Sequence, residues 1–268
     1  MRRIAVVVLL ILAIARSVAA HDLFLKPFRF FVEPQSQARV RVLNGTFEKS
    51  ENAVTRNRVS DLSVVGPTGR QRADTAGWLD TGDTSVVSVR VGGPGTYVVG
   101  ASTLPRTLKL DAKAFNEYLA SDGLPDVLEA RRKSGDLQKS SHERYSKHVK
   151  TMLQAGDART PGFDMALGYP AEVVPLDNPY ALKVGQTVRV RTLVDGRPVR
   201  NQLVVAGGRD PDGERLAVQN VRSDTSGVAR VRLSARGYWY IKFIHMVPVT
   251  GDSVNYESKW ATLTFEAR

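Results

Sequence analysis

The 268-residue chain contains no cysteine. That excludes disulfides, thiolate metal sites, cysteine nucleophiles and a lipid-anchored N-terminal cysteine. Histidine is scarce, with four in all. Several catalytic signatures are missing as well: there is no Gly-x-Ser-x-Gly elbow, no phosphate-binding Walker loop and no His-Glu-x-x-His. An apolar run of eighteen or more residues is also lacking, so no segment has the length of a membrane-spanning helix.

One shorter apolar run is present. Met1-Arg2-Arg3 is followed by almost uninterrupted apolar residues to Ile14, and then by Ala15-Arg16-Ser17-Val18-Ala19-Ala20. A basic start, about eleven apolar residues and a small-residue stretch make a secretory signal peptide over residues 1–20. Eleven residues rise about 16 Å as a helix, too little for a hydrocarbon core of about 30 Å. Cleavage after Ala20 makes His21 the first residue of the mature protein; cleavage after Ala19 is the alternative. The expected location is periplasmic or secreted. The leader contributes three arginines to a formal charge of +11, which leaves +8 for residues 21–268. The remaining basic residues fall as Arg-x-Arg pairs (Arg39 and Arg41, Arg189 and Arg191, Arg230 and Arg232), the pattern of solvated sheet faces. No nucleic-acid partner is expected.

The mature chain reads mainly as β-strand. Ala38 to Val42 alternates and ends at Asn44-Gly45, and Leu62 to Val65 ends at Gly66-Pro67-Thr68-Gly69. Further strands are expected at residues 86–91, 96–99, 187–193, 203–206, 228–233, 238–247 and 256–266, with Gly, Pro and Asp turns between them. Residues 111–155 differ. They are rich in Ala, Leu, Glu, Lys and Arg, and they predict helices. Ser140-Ser141-His142-Glu143 resembles a capping box, followed by an apolar stripe at Tyr145, Val149, Met152 and Leu153. The expected layout is an N-terminal β-sandwich over residues 21–165 with a helical insertion at about 111–155, and a C-terminal β-sandwich over residues 166–268.

Histidine carries the candidate chemistry. A terminal His21 offers its α-amine and ring Nδ1 to one metal as a chelate, and neutral imidazole suits Ni²⁺, Co²⁺, Cu²⁺ and Zn²⁺. His245 ends a strand face made by Trp239, Ile241 and Phe243. If the following turn centres near Thr250 and Gly251, Tyr256 and Glu257 fall roughly opposite it, and Glu257 could ligate a metal or orient the ring. His142, in the first turn of the expected helix, is a weaker third ligand. The metal candidates are thus His21, His245, His142 and Glu257. The competing readings are a strand-starting His21, a buried hydrogen-bonded His245 and a surface His142. Asp210-Pro211-Asp212-Gly213 lacks the spaced ligands of a calcium loop and reads as a turn.

Four stretches carry a family resemblance: Ala20-His21-Asp22-Leu23-Phe24-Leu25; Glu143-Arg144-Tyr145-Ser146-Lys147; residues 168–175 with Asn178-Pro179; and residues 237–241 with His245, followed by residues 256–265. In that order they resemble the DUF4198 family, bacterial exported proteins described as periplasmic components of nickel or cobalt uptake. The resemblance implies two β-sandwich domains of immunoglobulin-like type and a role in handling Ni²⁺ or Co²⁺ outside the inner membrane. It strengthens His21 and His245 as ligands. The functional expectation is an exported, non-enzymatic metal-binding protein that serves an inner-membrane metal transporter. Its cargo would be a divalent transition metal, Ni²⁺ or Co²⁺, with Cu²⁺ also compatible. The alternative is a β-sandwich module that recognises an envelope protein or glycan without metal. An oxidase using a terminal-histidine copper brace, or a hydrolase, is the enzymatic rival.

Overall fold

The computed structural model describes residues 21–268; the signal-peptide reading of residues 1–20 lies outside them. The chain is mainly β and forms three layers. The first sheet holds β1 (Asp22–Pro27), β3 (Gln37–Gly45), β6 (Trp78–Thr81) and β7 (Thr84–Arg90), in the order β1-β3-β7-β6. The large middle sheet has ten strands. They are β2 (Phe31–Val32), β4 (Val59–Gly66), β5 (Gly69–Arg72), β8 (Gly95–Thr103), β9 (Arg106–Leu110), β10 (Ser141–Ala155), β14 (Leu203–Arg209), β15 (Gln219–Arg222), β17 (Gly237–Pro248) and β18 (Tyr256–Ala267). Its main path runs β15-β14-β17-β18-β10-β8-β4-β5, with β2 and β9 also paired to β10. The third sheet holds β11 (Ala171–Pro175), β12 (Thr187–Val194), β13 (Arg197–Pro198) and β16 (Val228–Arg232).

Alternation along the middle-sheet strands decides which cover lies on which face. Val149 and Leu153 of β10, with Tyr97 and Val99 of β8, pack on Leu23, Leu25, Val40, Val42 and Val87 of the first sheet. Their neighbours Met152 and Val98 point the other way. They join Trp239, Ile241, Phe243, Leu263 and Phe265 against Val173, Val188, Val190 and Val231 of the third sheet. Successive side chains of a strand point to opposite faces, so one sheet fills two cores.

The expected strands are found where alternation and turns mark them. In the β12–β13 turn both Asp195 (φ 49°) and Gly196 (φ 75°) have the positive φ that a two-residue hairpin turn requires. The helical expectation needs correction. Within residues 111–155, helices occupy only α1 (Ala112–Ser121) and α2 (Pro125–Ser134), with a short 3₁₀ turn at Asp136–Gln138. Asp111 caps α1 by accepting from Ala114 N at 2.8 Å. Gly135, at φ 73°, closes α2. Residues 141–155, expected as helix, are the long strand β10. It pairs in parallel with β18 and antiparallel with β8 and β9. Every residue from Ser146 to Ala155 is buried. A strand buried on both faces loses its polar alternation, and its apolar residues at 145, 149, 152 and 153 then imitate a helical stripe. The helices pack Phe115, Tyr118 and Leu119 on Ile244, Met246, Tyr256 and Trp260 of the middle sheet.

Candidate functional site

His21 stands immediately before β1, at a seam of charged side chains. Its ring Nε2 lies 3.2 Å from Glu51 Oε2. Its carbonyl accepts a hydrogen bond from the Lys147 ammonium, which also donates to Asn44 Oδ1 at 3.2 Å. The next residue, Asp22, is ion-paired with Lys242 of β17 through Oδ2. Asp22 Oδ1 and Asp122 Oδ2 are buried without a hydrogen-bond partner among the described residues. Burial, reinforced by the nearby Asp22 carboxylate, pushes the Asp122 carboxyl up to about 6 against the opposing pull of Lys242. Burial, with Arg58 nearby, lowers the Lys147 ammonium to about 8 against the pull of Asp22.

Two cavities meet at His21. One, of about 370 Å³, also has Asp22, Phe24, Glu51, Asp122 and Tyr240 in its wall. The other, of about 320 Å³, is lined on its far side by Arg58, Glu143, Tyr145, Lys147 and Trp260.

His245 does not join His21. Strand β1 lies on the middle-sheet face that presents Lys242: Asp22 meets Lys242, the Phe24 and Tyr240 ring centroids are 5.4 Å apart, and Thr262 Oγ1 donates to Leu23 O at 3.0 Å. His245 belongs to the opposite face, with Trp239, Ile241 and Phe243, so the sheet lies between the two histidines. The His245 Nδ1 is 3.1 Å from Gln202 Oε1. Burial lowers its pKa, and the neighbouring Lys259 lowers it further.

Glu257 is not opposite His245; Lys259 is, and Glu257 pairs in register with Val247. The hairpin centres on Asp252, one to two residues beyond the expected position, and each residue of change in the centre moves the partner by two. Glu257 is 3.6 Å from Lys259 Nζ and 3.9 Å from Arg144 Nη1. His142 lies at the start of β10 instead of on a helix, with Nδ1 2.6 Å from Ser253 O. Among the described residues, no group of three or more His, Cys, Asp or Glu side chains is arranged to hold a metal.

The residues missed by sequence reasoning are Glu51, Arg58, Glu143, Tyr145 and Lys147. Glu143, Tyr145 and Lys147 alternate, so reading 141–155 as a strand puts all three on one face; on a helix Tyr145 would turn away from Glu143 and Lys147.

No helix among the described residues is long and apolar enough to cross a membrane. Among solved structures, a tetra-tandem repeat in the extending region of a large adhesion protein aligns at 12% identity, with TM-score 0.23, over 92% of this chain and 50% of that one. The Escherichia coli adhesin FdeC aligns at 15% identity, with TM-score 0.23, over 93% of this chain and 65% of that one. Trypsin-activated alpha-2-macroglobulin from Escherichia coli aligns at 10% identity, with TM-score 0.21, over 92% and 15%. The chain thus spans from 15% to 65% of the length of these structures. No curated protein matches it. The family model described as a domain of unknown function, DUF4198, matches residues 18–247, and the chain belongs to that family.

Proposed function

We propose that this chain is an exported, non-catalytic binding protein that takes a divalent transition metal, Ni²⁺ or Co²⁺ with Cu²⁺ also compatible, at the N-terminus that signal cleavage creates at His21. The observation that carries this reading is the Glu51 carboxylate 3.2 Å from His21 Nε2. A carboxylate on the outer ring nitrogen holds the proton there and leaves the Nδ1 lone pair free. Nδ1 and a freed α-amine make a two-nitrogen chelate. The amine's pKa of about 7.7 to 8.0 lets a metal displace its proton near neutral pH. Asp22 and Asp122, each with one buried oxygen unpartnered among the described residues, line the same cavity as oxygen donors, and they would have to move to join His21 around one ion, because no three such side chains are arranged for it. His245, His142 and Glu257 take no part in this set. An inner-membrane metal transporter is the partner such a carrier would serve.

The second reading is a module that recognises an envelope protein or glycan without metal. It is favoured by the ammonium groups beside His21: Lys147 on its carbonyl and Lys242 on Asp22 both oppose a further cation.

Titration calorimetry of Ni²⁺, Co²⁺ and Cu²⁺ into protein processed by a cell, with its N-terminus verified by mass spectrometry, separates the two. The metal reading expects tight binding that is lost when one residue is left before His21 and is weakened about 10–100-fold in Glu51→Gln. Binding that survives the extra residue takes the metal off the His21 amine and overturns this site, and no binding by processed protein leaves the recognition module.

A further inference from the structure

The cavity on the other side of His21 has a different chemistry. Glu143, Tyr145 and Lys147 of β10 project into it together, beside the indole of Trp260. Arg58 and Arg106 complete a wall of three cations against one carboxylate. Several of these groups are incompletely satisfied. Arg58 Nε is buried with no partner among the described residues, its Nη2 donates to Leu104 O at 3.4 Å, and the Tyr145 hydroxyl lies beside the guanidinium. Lys147, 7% exposed, spends two of its three N–H donors on His21 O and Asn44 Oδ1. Glu143 is 1% exposed. Its Oε1 accepts from the Tyr118 and Ser258 hydroxyls, while its Oε2 is buried without a partner among the described residues.

Native buried polar groups are nearly always paired, with protein, water or ligand. This cavity therefore presents donors for an anion at one end and one orphaned acceptor at the other. Crowding among the cations points the same way: burial and the neighbouring Arg106 lower the Arg58 pKa, and an anion between them would offset that repulsion. A simple inorganic anion fits less well, because it offers Glu143 Oε2 negative charge and leaves Trp260 without an apolar surface.

We propose that this cavity binds a small organic acid carrying a hydrogen-bond donor beside its carboxylate, an α-hydroxy or α-amino acid. Its carboxylate lies among Arg58, Arg106 and Lys147, and its donor meets Glu143 Oε2. The volume of about 320 Å³ suits a ligand at the small end of the usual range. This site stands whether or not a metal binds at His21.

The test is calorimetry on residues 21–268 without added metal, with L-malate as hydroxy acid, L-leucine as amino acid and sulfate as a donor-free anion. The expected result is that malate, leucine or both bind at least tenfold more tightly than sulfate. Binding of malate alone assigns a hydroxy acid, and of leucine alone an amino acid. Arg58→Gln and Arg106→Gln are each expected to weaken binding at least tenfold. Arg106 is exposed, so its variant keeps the test open if Arg58→Gln does not fold. No binding of either organic acid overturns the proposal. So do sulfate binding as tight as theirs and affinities unchanged in folded Arg106→Gln.

Discussion

At the scale of single residues, the buried polar groups of β10 set the pH response and a large share of the stability. His148 is 2% exposed, with Nδ1 2.9 Å from Ser102 Oγ and Nε2 3.0 Å from Ser146 Oγ. Burial, with Lys259 adding to it, lowers its pKa to about 3. The unfolded chain's histidine titrates near 6.5, so between about pH 6.5 and 3 the unfolded state binds the extra proton. Stability from His148 is therefore complete above pH 6.5. It falls by up to about 1.4 kcal/mol per pH unit as the pH drops through that window. Asp122, raised to about 6, acts with the opposite sign: its folded form holds a proton that the unfolded form has lost, so its contribution weakens as pH rises from about 4 to 6. Urea unfolding followed from pH 4 to 7 should show a shallower pH slope in His148→Gln than in the parent; equal slopes would remove His148 from the account. Two positions along, Lys150 forms an ion pair with Glu172, their side chains 2% and 0% exposed. Glu172 also accepts from the backbone N–H groups of Leu167, Gly168 and Tyr169 at 2.8, 2.8 and 3.0 Å. Glu172→Ala strands a buried ammonium and three amides, and it should cost about 3–5 kcal/mol in urea denaturation. Lys150→Met leaves Glu172 its three amides and should cost less.

At the scale of elements, Arg131 is a buried tie between the helical pair and the sheet. Arg131 of α2 is 3% exposed. It donates to Asn116 Oδ1 in α1 (3.1 Å), Tyr256 Oη in β18 (3.1 Å), and the carbonyls of Asp136 (2.8 Å) and Lys139 (2.6 Å). Its guanidinium also lies 4.7 Å from the Phe115 ring centroid. Arg131→Ala should destabilise the protein by about 2–3 kcal/mol, on the scale of lost hydrogen bonds from a charged donor, and Arg131→Lys should recover little because an ammonium lacks the planar fork. Urea midpoints of the two variants check this; recovery by lysine would reduce the arginine to a point charge. The same region shows what a sequence can and cannot reveal. Strands such as β3, β12 and β16, half-covered and punctuated by turns, are legible because their exposed positions alternate with buried ones. β10 is not, because its burial comes from strands and sheets distant in sequence, and nothing within residues 141–155 records them. The seam at His21 is legible only in part. The N-terminal histidine stands out, but Glu51 and Lys147 reach it through contacts between residues far apart in sequence, and Glu143 joins it only across a shared cavity. The placement of His245 turns on a strand face, and the partner assigned to it turns on one to two residues in the hairpin centre.

At the scale of the whole molecule, the question is whether the chain folds as two units or as one. Composition and turn spacing expect a boundary near residue 165. The middle sheet crosses it: β10, before the boundary, pairs with β18, after it, over nine residues in register from Glu143↔Tyr256 to Thr151↔Thr264. Each face of β10 feeds a different core, through Val149 and Leu153 on one side and Met152 on the other. Loss of either core would expose one face of the shared strand and leave its buried Lys147, His148 and Lys150 to find water. Stability should therefore be held in common. The chain's three tryptophans are placed to test this, since Trp78, Trp239 and Trp260 lie in three separate core clusters. Three variants that each keep one tryptophan, with phenylalanine at the other two positions, report each core by fluorescence during urea unfolding. Within each variant, the fluorescence transition should coincide with loss of the sheet signal in far-ultraviolet circular dichroism, as expected for a single cooperative transition. A Trp78 transition well separated from those of Trp239 and Trp260 would mean that the first sheet and its core unfold independently, and the boundary expected from the sequence would then be a true folding boundary despite the shared sheet.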